Sequence, residues 1–441
     1  MSCNSTKNNH YRFGLLLIGC LFFSFGFITW ANSQLIPYLK IACDLTVTQS
    51  YLVATAFFAA YFFTAIPSSY VLNKTGYKVG MCLGLVIMAI GAAIFMPAAT
   101  MRSFPLFLAG LFIQGTGLSL LQTASNPYVT ILGPISGAAQ RISIMGICNK
   151  VAGILAVVVL GGITLKDADA FTANLAALDP TAKAAELDRL AARAIQPYMV
   201  ITAALLALAI IFYFMKLPEV QEEAEEADLP AKADSTKSGV LQFPHLILGA
   251  LAIFFYVGVE VISYDTFSTL GTSLGYSLDL AKSFAAVTGF GMLVGYLLSI
   301  ILIPKFISQR VALVVAVAAS MVLVLFASFL KGGTGILHVN LGLESLDFHI
   351  PTNAAALCFA LLGFTNSVMW PAIWPLSLEG LGKYTKVGGA LLIMGIVGGA
   401  VVTPLLGVFA KAIGSQQHAY LLMIPCYLYI LYFALKGHKA R

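Results

Sequence analysis

Two charged side chains lie where a run this apolar leaves no solvent for them. Lys150 sits in ISIMGICNKVAGILAVVV and Glu260 in LAIFFYVGVEVISYDTF. An isolated charge at membrane depth costs at least ~2.5 kcal/mol on insertion scales, and pairing or neutralisation relieves that cost. Lys150 is therefore expected to meet Glu260, or Asp265 five residues further on. A desolvated lysine titrates more readily than a free one, so such a pair can exchange a proton or admit Na⁺. The competing reading is a static ion pair that holds two bundles in register. Embedded ionisable groups mark ion or solute paths often enough to favour the first. Asp265 is off the helix face of Glu260 and is expected near the mouth of its run, in solvent. Gln122 and Asn126, four apart, share one helix face. With Asn149 they make the stretch Gly115–Lys150 the expected wall of a solute pathway.

These groups need elements to hold them. The chain has 441 residues, 59% hydrophobic and only 10% charged, with a mean hydropathy of +0.90. Soluble domains carry roughly 25% charged residues. Twelve apolar segments of membrane-crossing length follow one another, so the expected fold class is an all-α membrane protein. The net charge of +6 is small, and no basic cluster with interleaved aromatics points to nucleic acid. Seven irregularly spaced cysteines imply neither a disulfide framework nor a metal site. The first apolar run is too long for a cleaved signal and is expected to stay as a span.

The acidic, Pro-broken stretch 217–243 divides the spans six and six, into bundles 1–216 and 244–441, and reads as a cytoplasmic, partly disordered tether. The connection 166–196 is expected to hold a short surface helix, capped by Asp179 with Pro180 in its first turn. His338, Glu344, Asp347 and His349 read as solvated loop residues. Placing both termini in the cytoplasm puts twelve Lys and Arg inside and five outside in the short connections, as the positive-inside rule asks. Ile144-Met145-Gly146-Ile147 recurs as Ile393-Met394-Gly395-Ile396, each in the fifth run of its half. A parallel duplication of this kind is a transporter habit and argues against a continuous pore. An intramembrane enzyme would need a nucleophile–base set or metal cluster, and an ATP-driven pump a P-loop; neither is in the sequence.

The chain resembles the sugar branch of the major facilitator superfamily, the branch that holds bacterial L-fucose–proton symporters and glucose/galactose transporters. The resemblance is carried by Gly26-Phe27, Leu35-Ile36-Pro37, the fourth-run string Gln122–Pro134 (QTASNPYVTILGP), Tyr256-Val257-Gly258, and Gly395–Gly399 followed by Thr403-Pro404. The loop Asn73–Lys78 looks like a degenerate form of the superfamily's basic motif. The resemblance implies twelve helices in two six-helix bundles around a central cavity. It also implies uptake of a hexose-type sugar by alternating access, coupled to H⁺ or Na⁺ with no other cofactor. The setting it implies is a multi-pass monomer in a bacterial inner membrane. Two departures stand out. The positions matching Ser33 and Gln122 are acidic in the fucose symporter, the latter tied to proton coupling; both are neutral here. Uncoupled facilitation is therefore the runner-up, and Lys150, Glu260 and Asp265 become the candidate coupling residues.

A sugar needs amides and hydroxyls for its OH groups and flat aromatic faces for its C–H side. The candidates are Asn32, Ser33 and Gln34, which break the first run; Gln122, Asn126 and Asn149; and Asn366, Trp370 and Trp374, spaced four and four. Trp374 suits an interfacial aromatic belt equally well. Asn126, ahead of Pro127, suits helix–helix hydrogen bonding as well as ligand contact. Phe57, Phe58, Tyr61, Phe62 and Phe63 are expected to pack or face lipid.

Overall fold

The structure, a computed structural model, describes residues 2–131, 138–215, 239–303, 305–340, 347–381 and 384–440. Among them are twelve helical spans long and apolar enough to cross a membrane. The first half holds Gly14–Ala42, Val47–Leu72, Lys74–Thr100, Phe104–Asn126, Arg141–Leu175 and Pro180–Phe214. The second holds Pro244–Asp265, Leu278–Leu302, Gln309–Phe329, Ala354–Leu378, Val387–Ile413 and Gln416–Lys439. Twelve crossings return the chain to the end of the bundle it started from, here the terminal end; the other is the distal end. Residues 216–238, which hold most of the tether, lie outside the described residues. Its last turn, Val240–Gln242, docks with Phe243 buried.

Burial sorts the spans. Only 28% of the apolar window of span six is buried, against 67% for span seven. Span six therefore lies at the rim, showing Ile210, Tyr213 and Phe214, while span seven is central. Close approach follows the small residues, as in membrane bundles generally. A Cβ on Gly26 would collide with the Asn149 carbonyl, so span one can cross span five only with glycine there. Between halves, Gly146 faces the Tyr296 ring, Gly289 faces Ile154, and Gly399 faces Phe58.

Several spans are interrupted. Span one breaks between Ser2–Trp30 and Asn32–Ala42, span ten between Ala354–Asn366 and Met369–Leu378, and span eleven passes through a tight turn at Gly395–Val397. The short helix of the 166–196 connection is Pro180–Ala192, with Asp179 Oδ1 accepting from the Thr181 and Ala182 amides at 2.9 Å. A second helix, Ala168–Ala177, precedes it and was not expected. Nor was the one departure from all-helical structure among the described residues, an antiparallel hairpin of β1 (Ile336–Asn340) and β2 (Asp347–Pro351). It pairs His338 with His349, and half-buried His349 lies 3.4 Å from the Ser283 hydroxyl, so His349 is not a solvated loop residue. Glu344 lies outside the described residues.

Candidate functional site

At the middle of the bundle, spans one, two, four and five from one half and seven, eight, ten and eleven from the other line one central cavity. Lys150 and Glu260 meet on its wall: Nζ donates to Oε1 at 2.9 Å. Lys150 is 3% and Glu260 8% exposed. One partner comes from each half, so the pair joins the halves at mid-height.

Trp30 completes this cluster. The Lys150 ammonium lies 3.4 Å from its ring centroid. Its Nε1–H donates to Asn149 Oδ1 at 2.9 Å, and Tyr264 packs on it with centroids 4.3 Å apart. A desolvated cation over an indole gains on the order of 2 kcal/mol. The ammonium is thus held by a carboxylate and by a π-face together. In the sequence Trp30 is overshadowed by the polar triplet after it. The available signal was a tryptophan mid-run at a helix break.

Gln122, Asn126, Asn149 and Trp370 all line the cavity. Gln122 Nε2 donates to the Tyr61 hydroxyl at 3.0 Å. Phe58 and Tyr61 pack in the core, as expected, and line the cavity as well, which was not expected. A tyrosine hydroxyl at mid-run needs a partner, and that requirement was the overlooked signal. Phe62 and Phe63, at 48% and 64% exposed, do face outward. On the opposite wall Tyr256 and Trp370 lie 6.1 Å apart. Thr29 Oγ1, also on the wall, is buried with no hydrogen-bond partner among the described residues. A solute hydroxyl would satisfy it.

Other candidates lie elsewhere. Past the break at Trp30, the helix Asn32–Ala42 runs beyond the cavity. Ser33 donates to the Trp30 carbonyl at 2.8 Å, and Gln34 reaches across to the Lys282 carbonyl at 2.8 Å. Neither lines the cavity, and the side chain of Asn32 lies outside the described residues. Asn366 is fully buried within the second half, donating to Ser263 Oγ at 3.1 Å and accepting from the Tyr427 hydroxyl at 2.9 Å. The break after Asn366 separates it from Trp370, and an amide satisfied by two helices is structural glue. Trp374 stacks on Trp370 at 5.4 Å without lining the cavity. Asp265 is not at a solvated mouth: it is 0% exposed, and neither carboxylate oxygen has a hydrogen-bond partner among the described residues.

With this geometry in hand, the kinship of the chain is plain. The description of the Major Facilitator Superfamily matches residues 17–404. A glucose/galactose transporter of Brucella abortus biovar 1 (strain 9-941) is 35% identical over 439 residues, covering 99% of this chain and 97% of its own. An L-fucose-proton symporter of Escherichia coli (strain K12) is 30% identical over 431 residues, covering 97% and 94%. A crystal structure of a superfamily transporter in the outward conformation superposes with a TM-score of 0.71 at 28% identity, over 96% of this chain and 98% of that one. The chain belongs to the Major Facilitator Superfamily.

Proposed function

We propose that this chain imports a hexose-type sugar by alternating access, coupled to a cation gradient. The observation that carries the reading is the Lys150–Glu260 pair, one partner from each half, on the wall of a central cavity of sugar-binding chemistry. In this reading Gln122, Asn126 and Asn149 meet the sugar hydroxyls, and Tyr256 and Trp370 cover its C–H face. The names of the relatives, a glucose/galactose transporter and an L-fucose-proton symporter, point to the same substrate class.

Coupling follows from electrostatics. When the halves rock, the pair must lengthen, and a lone buried carboxylate costs several kcal/mol unless it takes up a cation. A proton suits Glu260 better than Na⁺, which the neighbouring ammonium repels. Asp265, enclosed and without a partner, offers a second place for that proton. Both termini then lie in the cytoplasm of a bacterial inner membrane, the distal end is the outer one, and a monomer suffices, with no enzymatic step. Uncoupled facilitation is the second reading, favoured by neutral Ser33 and Gln122 where the fucose symporter is acidic.

Vesicle uptake of a sugar panel, with proton and sodium gradients imposed separately, tests the reading. Accumulation under the proton gradient is expected. Lys150→Ala should abolish accumulation and spare sugar counterflow. Gradient-independent equilibration would establish the facilitator; absence of counterflow for every sugar would end the transport reading.

A further inference from the structure

The distal ends of the halves are stitched by an exchange of helix caps. The long helix of span five ends at Thr164, the chain turns, and the helix Ala168–Ala177 begins. Opposite it, in the other half, the short helix Leu278–Ala281 opens span eight. Asp279 accepts from the Ala168 and Asp169 amides at 3.1 and 3.2 Å. Asp169 in return accepts from the Leu278 and Asp279 amides at 3.0 and 2.7 Å. Each aspartate thus caps the first turn of the other half's helix. Such amides have no partner inside their own helix, and a carboxylate there also meets the positive end of the helix dipole.

Lys282 adds a strap. Its Nζ donates to the Leu165 carbonyl at 2.8 Å, at the C-terminal end of span five, and to Asp279 Oδ1 at 2.9 Å. Its own carbonyl accepts from Gln34 Nε2 at 2.8 Å. Nearby, Thr55 donates to the Ala400 carbonyl at 3.0 Å and Gln416 to the Tyr51 hydroxyl at 3.2 Å, again across the halves.

We propose that Asp169, Asp279 and Lys282 form the outer gate of the transport cycle: a reciprocal cap that positions the halves closed on that side and must open for solute to enter. The inference rests on the alternating-access reading above. The gate suits reversible opening. Every bond in it ends on a backbone amide, a carbonyl or a partly exposed charge, and water can replace each partner when the halves part. Unlike the Lys150–Glu260 pair, it leaves no uncompensated charge in an apolar setting. Gln34, expected at the sugar, belongs to this gate instead.

Hydrogen–deuterium exchange on the full chain in nanodiscs, without sugar, reads the gate directly. Asp279→Ala should speed exchange at 168–169 and also at 51–55 and 400–416, where the halves touch, on the order of tenfold, because the outward population rises. Asp169→Ala should do the same starting from 278–279, and Lys282→Ala should give a smaller rise. Asp169→Asn and Asp279→Asn keep an acceptor oxygen, guard against misfolding of the Ala variants, and should fall between. Acceleration confined to the uncapped amides, with 51–55 and 400–416 unchanged, would overturn the gate. Because no sugar is present, that result leaves the substrate reading untouched, and failed sugar uptake leaves this one untouched.

Discussion

Two of the polar linkages between the halves are built on opposite principles. The central one is a buried ion pair, Lys150–Glu260, roofed by Trp30. The distal one spends its charges on backbone amides, with side chains of Asp279 and Lys282 34% and 20% exposed. Breaking the first strands a charge in a low dielectric, so its state must be answered by another ion. Breaking the second exchanges protein partners for water at little net cost. One linkage is suited to sense a cation and the other to open and close. The two halves are correspondingly unequal. Four residues after Gly146 comes Lys150; four after Gly395, in the repeated motif, comes Gly399, packed on Phe58. The ammonium on span five thus has no counterpart at the matching place in span eleven, and its partner carboxylate comes from span seven.

The sharpest break of that comparison is at Glu260. Glu260→Ala leaves the ammonium uncompensated, and loss of one partner of a buried pair costs about 3–5 kcal/mol. A marked fall in thermal stability is expected together with loss of gradient-driven accumulation. The double variant Lys150→Ala/Glu260→Ala should be more stable than Glu260→Ala alone, since no lone charge remains. Thermal unfolding in detergent compares them, and equal stability of the single and double variants would dismiss the pair as a solvated contact.

The central linkage was largely legible in the sequence and the distal one was not, for a physical reason. Lys150 and Glu260 announce themselves because an apolar run makes each charge conspicuous. The twelve spans are legible for the same reason, their period and length being set by the bilayer. Asp169, Asp279 and Lys282 sit in polar connections where charges are ordinary. What matters there is which half's amides they meet, and only tertiary geometry decides that. Asn366 misled in the other direction. A membrane-depth amide reads alike whether it faces solute or a neighbouring helix. Ser33 and Gln34 misled because the break at Trp30 turns their helix away from the cavity.

Trp30 sharpens the account of the central linkage. Trp30→Leu removes the π-face from Lys150 and the donor from Asn149, and KM for the sugar should rise about 30-fold, near 2 kcal/mol. Trp30→Phe keeps a face and loses only the N–H, so a rise of about five-fold, near 1 kcal/mol, is expected. Equal effects of the two would assign the whole contribution to the hydrogen bond with Asn149. Asn366→Ala supplies the contrast within the second half. It strips partners from Ser263 and Tyr427, which should lower stability by about 1–3 kcal/mol while leaving KM alone. A tenfold KM change at unaltered stability would return Asn366 to the sugar site.

The smallest effect separates capping from gating. Asp179 does within one half what Asp169 and Asp279 do between halves: its carboxylate accepts from two first-turn amides, at 2.9 Å each. Asp179→Ala should therefore cost about 1 kcal/mol of stability, the ordinary value of a lost cap. Its helix, Pro180–Ala192, packs through Leu187 and Leu190 on its own half. Exchange at 51–55 and 400–416 should consequently stay at the wild-type rate. Each variant takes a carboxylate from two first-turn amides, and Asp279→Ala also takes a partner from Lys282, so Asp169→Ala is the cleaner contrast with Asp179→Ala. If Asp179→Ala loosened the distal ends as much as Asp279→Ala, the exchange signal would report general destabilisation, and the contrast between a cap inside one half and a cap shared by two would vanish.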